Sequence, residues 1–111
     1  MDKDIQGPAP LGPSEKKMYE QEYKHGADLF KRALDEYKKS DNIYQQKEFK
    51  DVMDKAMQVM NETARELMRQ ELLKQNQQIS KDYTAFQDKP TDQTLQNKLG
   101  QDLEKAKKSI S

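Results

Sequence analysis

The chain contains no cysteine among its 111 residues, so disulfide bonds, thiolate metal sites and thiol nucleophiles are excluded. It also contains no apolar run of the roughly 18 residues that a membrane-spanning helix needs. The N-terminus lacks both the basic region and the hydrophobic stretch of a secretory signal. We therefore expect a cytoplasmic protein without membrane insertion, and export by a route that needs no cleaved signal stays open.

Aliphatic and aromatic residues are also scarce. Leu, Ile, Val and Phe together number 18 of the 111 residues, below the roughly 20% at which chains of high net charge become disordered. The net charge is formally zero, so the second condition for disorder is not met. We expect a folded protein with a thin core and a modest free energy of unfolding.

The charged residues are balanced and interleaved, with 20 basic and 20 acidic side chains along the chain. Nucleic-acid binding needs Lys and Arg clustered on one face, where they displace counterions from phosphates. No segment of the sequence has such a cluster, so nucleic acid is not an expected partner. The same balance argues against a basic helix lying on an anionic membrane.

Glycine and proline are rare after the first residues. Residues 1–13 hold three of the four prolines and no helical periodicity, which predicts a disordered tail. The remainder, 14–111, is predicted to be a single all-α domain, with Ser14 as the first helix cap. The expected helices cover about 14–39, 43–87 and 92–109, separated by the turn-forming segments Ser40-Asp41-Asn42 and Asp88-Lys89-Pro90-Thr91.

The central segment carries an apolar stripe at alternating spacings of four and three residues, from Phe49 to Leu67. The stripe then shifts phase and continues through Leu72 to Phe86, as a stutter does in a long helix. We expect Met53 and Met60 to pack against the first helix, with Met57 and Met68 on the flanks of the stripe. Methionine suits either role, because it fills irregular gaps and adapts to varied partners.

Two architectures fit these lengths. A continuous central helix of about 45 residues would be roughly 67 Å long, and the other two helices would each cover one half of it in an elongated helical hairpin. A break or kink in that helix would instead give a compact three-helix bundle. In the elongated version each half of the central helix has one covering helix, which leaves apolar surface for another chain to bury.

No catalytic, cofactor-binding or metal-ligating set emerges from the sequence. His25 is the only histidine, and its Glu22-x-x-His25 spacing would need a second such pair to form a di-metal site in a helical bundle. No glycine-rich loop is present to bind phosphate, and no Ser-His-acid set is visible. Asn76 has the spacing of a position in the apolar seam between helices, where an asparagine can fix how two helices align. The favoured interpretation is that Asn76 lies at the polar edge of the stripe. We therefore expect a protein that is not an enzyme.

The favoured function is that of a non-catalytic helical interaction protein: an adaptor, a small chaperone or an assembly subunit that works through helix–helix packing. The expected partner-binding residues are the apolar ones of the central stripe: Met53, Met57, Met60, Leu67, Met68, Leu72, Ile79, Tyr83 and Phe86. The alternative is a self-assembling structural subunit of a filament or secretion apparatus. The turn at Asp88-Lys89-Pro90-Thr91-Asp92 resembles the hairpin turn of type III secretion needle subunits, a resemblance that covers the last third of the chain.

Overall fold

The computed structural model describes residues 12–110, which form helices and short turns. Helix α1 spans Pro13–Lys39, α2 spans Ile43–Leu67, α3 spans Gln70–Asp88 and α4 spans Gln93–Ile110. The prediction of an all-α fold is therefore confirmed. Of the predicted disordered tail, 1–13, all but Gly12 and Pro13 lies outside the described residues.

The long helix that we expected over 43–87 is not continuous. α2 ends at Leu67, and Met68 adopts a left-handed conformation with φ 54° and ψ 29°. Its backbone N–H donates to the Ala64 carbonyl, and α3 begins two residues later at Gln70. A left-handed residue at a helix C-terminus turns the chain out of the helix, and here it lets α3 fold back along α2.

The starts of α1, α2 and α4 have residues that commonly cap helices, although the residue predicted to cap α1 is wrong. Gly12 occupies the cap position of α1, and the predicted cap, Ser14, lies inside the helix. Pro13 is in the first turn, where a backbone N–H has no partner within the helix, so its missing N–H costs no hydrogen bond. The Asn42 carboxamide oxygen accepts from the backbone N–H groups of Tyr44 and Gln45, the second and third residues of α2, which confirms the break after residue 39. Asp92 caps α4 in the same way.

The four helices pack as two antiparallel hairpins, α1 with α2 and α3 with α4, which face each other. α1 also packs on α4 and α2 on α3, so α1 and α3 lie diagonally across the centre. Edge-to-face aromatic pairs join that diagonal, Phe30 with Tyr83 at 4.9 Å and Tyr37 with Phe86 at 5.4 Å between ring centroids. The arrangement thus places a single core between four helices.

The bundle is elongated, measuring 54 × 24 × 22 Å. Its radius of gyration is 15.5 Å, against about 13 Å for a compact domain of 100 residues. The excess length arises because α1 and α2 have 27 and 25 residues, whereas α3 and α4 have 19 and 18.

Candidate interaction surface

Eight of the nine side chains predicted to bind a partner lie inside the bundle. They are Met53, Met57, Met60, Leu67, Leu72, Ile79, Tyr83 and Phe86, and all are buried. Met68 is different, with 69% of its surface exposed at the turn between α2 and α3. In the folded chain a partner could reach the first eight only after the helices separate, and their role in binding stays a prediction.

Met57 shows why the exposed stripe expected on the central helix is absent. It lies on the flank of the α2 stripe, yet it is only 6% exposed. The turn at Met68 brings α3 back against α2, so α2 is covered by α1 on one side and by α3 on another. The apolar surface that stays exposed therefore lies outside this stripe.

A chain of buried hydrogen bonds crosses the core between three helices. The hydroxyl of Tyr23, a fully buried residue, donates to the Asn76 side-chain oxygen at 3.0 Å. The Asn76 amide then donates to the Asn61 side-chain oxygen at 2.7 Å. Asn76 is 7% exposed, and both its side-chain oxygen and its amide form hydrogen bonds. It therefore does not lie at the polar edge of its stripe, which is the position that the sequence favours. Because a displaced helix would break these bonds, the network favours one register of α1, α2 and α3.

An apolar groove runs along the outer face of the α1–α2 hairpin, on the side away from the core. Its depression of about 160 Å³ is lined by Leu29, Arg32, Ala33, Glu36, Phe49 and Val52, and we call it the outer groove. Val52 is 38% exposed, and Val59, two turns further along α2, is 39% exposed. Gly26 lets the two helices approach closely, since a Cβ at this position would lie 3.1 Å from Met60 Cγ. The groove has a charged residue of each sign, Arg32 and Glu36, both on α1.

Exposed apolar side chains also mark the two ends of the bundle. At the end where α2 begins, Ile43 is 74% exposed and Tyr44 lies beside it with a similarly open surface. α3 contacts α2 through Tyr83 at Lys50, seven residues further along, so Ile43 lies about 10 Å beyond that contact. Met18 and Met68 are exposed at the opposite end.

Ion pairs tie the shorter hairpin to the longer one. Lys31 on α1 binds Glu104 on α4 at 3.0 Å, and Lys107 on α4 binds both Asp28 and Glu104. These contacts lower the pKa of Glu104, first through the hydrogen bond from Lys31, and the hydrogen bond to Asp28 raises the pKa of Lys107. The pairs are partly exposed, so each contributes little stability but helps to orient α4 on α1.

Arg69 makes a second connection at the turn between α2 and α3. One guanidinium nitrogen binds Glu20 on α1 at 2.7 Å, and the other donates to the Ser109 carbonyl near the end of α4 at 3.1 Å. A planar guanidinium can bind two acceptors at once in a fixed geometry. Arg69 therefore joins the turn to two other helices.

The titratable side chains form no metal-ligand cluster in the part of the chain that the structure describes. Within residues 12–110 no group of three or more His, Asp and Glu side chains could hold a metal ion. Burial raises the pKa of both Tyr23 and Tyr83, the latter also through its hydrogen bond to Asp54, so both hydroxyls stay protonated. Over the same residues, no helix combines the length and apolar character of a membrane span.

The fold and surface together define a small antiparallel helical protein, with a polar network in its core and apolar patches on its longer hairpin. Comparisons with models of protein families, with curated proteins and with solved structures find no match to this chain.

Proposed function

We propose that the chain is a non-catalytic interaction protein that binds a helix of a protein partner in the outer groove. The observation that supports this function is the groove's apolar floor, formed by Leu29, Phe49 and Val52 from two helices of the longer hairpin. Amphipathic helices bind such grooves through apolar side chains at positions i, i+3 or i+4, and i+7. Hydrogen bonds to Arg32 and Glu36 would select the orientation of the incoming helix.

The groove suits a partner helix for two physical reasons. Val52 and Val59 are seven residues apart on α2, so they lie on one face, about 10 Å from each other along the axis. A helix of two to three turns would cover both side chains and remove them from water, at about 25 cal/mol for each Å² of apolar surface. Of the partner residues predicted from the sequence, all except the exposed Met68 would take part only if the bundle opened.

The test is site-specific photocrosslinking in the native source, with a benzophenone amino acid at Val52 or, as the matched control, at exposed Gln101 on α4. A crosslinked product of one defined mass from position 52, absent from position 101, would support the proposal. Val59→Lys should then weaken that product, because a partner helix that covers Val52 and Val59 together would have to desolvate the new charge. Equal labelling at both positions, or none at position 52, would refute groove binding.

A self-assembling structural subunit is the second candidate, favoured by the exposed apolar residues at opposite ends of the bundle. Contact between the Ile43–Tyr44 end of one copy and the Met18–Met68 end of the next would be head-to-tail, and such contacts extend into filaments unless the rotation closes a ring. Sedimentation across a range of concentrations tests this function. A mass that rises with concentration and returns to that of a monomer in Ile43→Asp would support it, whereas a monomer at every concentration would exclude it.

A further inference from the structure

Two carboxyl groups meet between α3 and α4, outside the surfaces described so far. Asp82 is only 5% exposed, and Asp102 on α4 lies within hydrogen-bonding reach of it. One oxygen of each carboxyl, Oδ2 in both cases, is buried and has no hydrogen-bond partner among residues 12–110 as long as both groups are ionised. The other oxygen of Asp82 accepts from Gln78 at 3.0 Å and lies 3.3 Å from the Lys98 ammonium.

Two carboxylates cannot form a hydrogen bond with each other unless one of them carries a proton. When such groups share a site, the first ionises readily and the second holds its proton to a higher pH. We propose that Asp82 and Asp102 share one proton, which makes the α3–α4 hairpin a pH-sensitive latch. Asp82 is the ionised member, since it has Gln78 and Lys98 as donors, and Asp102 donates the proton to it.

The surrounding charges agree with this assignment. Hydrogen bonds from Asp102, Gln78 and Lys98 outweigh burial and lower the pKa of Asp82. Burial and the neighbouring Asp82 raise the pKa of Asp102 from 3.8 to about 6, with Lys98 and Lys105 acting in the opposite sense.

The charged side chains on the other faces of α3 and α4 bind residues away from the Asp82–Asp102 pair. On the face of α4 toward α1, Glu104 and Lys107 bind residues of α1, and on the face of α3 toward α2, Tyr83 binds Asp54. Lys74 lines the adjoining cavity of about 240 Å³ together with Gln75, Gln78, Asp102 and Lys105. The cations near the pair disfavour a bound metal ion in place of the proton.

The sign of the pH dependence follows from the two shifts. The raised pKa of Asp102 stabilises the folded state fully below pH 3.8, its ordinary pKa, and this stabilisation is lost as pH rises to about 6. The lowered pKa of Asp82 gives stability that is present above its ordinary value and is lost as pH falls through its folded pKa. The latch is therefore tightest near pH 4, loosens as pH rises from there to about 6, and changes little above pH 6.

The primary experiment follows the side-chain carboxyl ¹³C resonances of the full chain by NMR from pH 3 to pH 8. We expect Asp102 to titrate with a pKa near 6, and Asp82→Asn to move that pKa back toward 3.8. Asp88→Asn, at an exposed position on α3, is the control and should leave the Asp102 titration unchanged. A wild-type Asp102 that titrates near 3.8 would overturn the shared proton without any variant having to fold.

Hydrogen exchange, corrected for the intrinsic effect of pH, tests the latch itself. Amides of α3 and α4 should lose about tenfold in protection between pH 4 and pH 7.5. The Asp102 contribution is lost over this range, one pKa unit is a factor of ten, and solvent reduces the full effect. Asp102→Asn keeps a donor to Asp82 at every pH and should abolish that loss. Millimolar Ca²⁺ or Mg²⁺ should not alter the carboxyl resonances at pH 7; a clear shift would show that a cation holds the pair and would refute the proposal. Neither experiment depends on binding in the outer groove.

Discussion

Replacing Met68 with glycine should stabilise the protein, although most glycine substitutions destabilise helical proteins. Met68 holds a left-handed backbone conformation, which costs a non-glycine residue roughly 1–2 kcal/mol. Glycine removes this cost but adds about 0.5–1 kcal/mol of chain entropy to the unfolded state. The methionine side chain is largely exposed, so its loss removes little buried apolar surface. The expected net gain is about 0.5–1 kcal/mol in the free energy of unfolding.

The matched control is Met18→Gly, which removes the same side chain at another exposed position. Met18 lies inside α1 with ordinary helical geometry, so glycine there should cost about 0.5–1 kcal/mol. Thermal unfolding followed by circular dichroism should give shifts of opposite sign, each of a few degrees for a domain of about 100 residues. If Met68→Gly lowers the melting temperature as much as Met18→Gly does, the chain does not turn at Met68 as described.

Two further pairs of substitutions test how the helices are held together, both measured by chemical denaturation. Gly100→Ala should stabilise α4 by about 0.5–1 kcal/mol, because a Cβ at this position meets no atom within 4 Å. Gly26→Ala should be less favourable than Gly100→Ala by at least about 1 kcal/mol, because its Cβ would press on Met60. Arg69→Ala should lower the free energy of unfolding by about 1 kcal/mol, and by less at high salt. Arg69→Lys should recover only part of this loss, because an ammonium lacks the planar geometry with which the guanidinium binds Glu20 and the Ser109 carbonyl together. Equal effects of the two glycine substitutions, or full recovery by lysine, would contradict these contacts.

The helices could be predicted because their apolar positions repeat every three or four residues and their turns contain strong capping residues. Asn42 and Asp92 both form caps at the segments that the sequence indicated. The division at Met68 lacked such a signal, since neither Met68 nor Arg69 is a residue that ends helices. The phase shift of the stripe after Leu67 did mark the position, and it reflects a turn of the chain where a stutter had been inferred.

The outer groove was missed for a related reason. Val52 and Val59 belong to a second, weaker apolar row on α2, next to the row that fills the core, and one sequence does not show which row faces inward. Leu29 supplies the opposite wall only because Gly26 lets α1 approach closely. Asp82 could have been found from its spacing, since it lies three residues after Ile79 on the buried face of α3.

A core with few large aliphatic side chains needs another source of specificity, and the Tyr23–Asn76–Asn61 network is the candidate that the structure offers. Tyr23→Phe keeps the ring but leaves the Asn76 oxygen buried without a donor, which should cost about 1–3 kcal/mol. Asn76→Leu should cost a similar amount, because it strands the Tyr23 hydroxyl. The double variant removes both members of the bond, so we expect its loss to be smaller than the sum of the single losses by at least 0.5 kcal/mol, roughly the lower limit for interacting residues. Strictly additive losses in a denaturation cycle would mean that the two side chains do not act on each other and that apolar packing alone sets the register of α1 and α3.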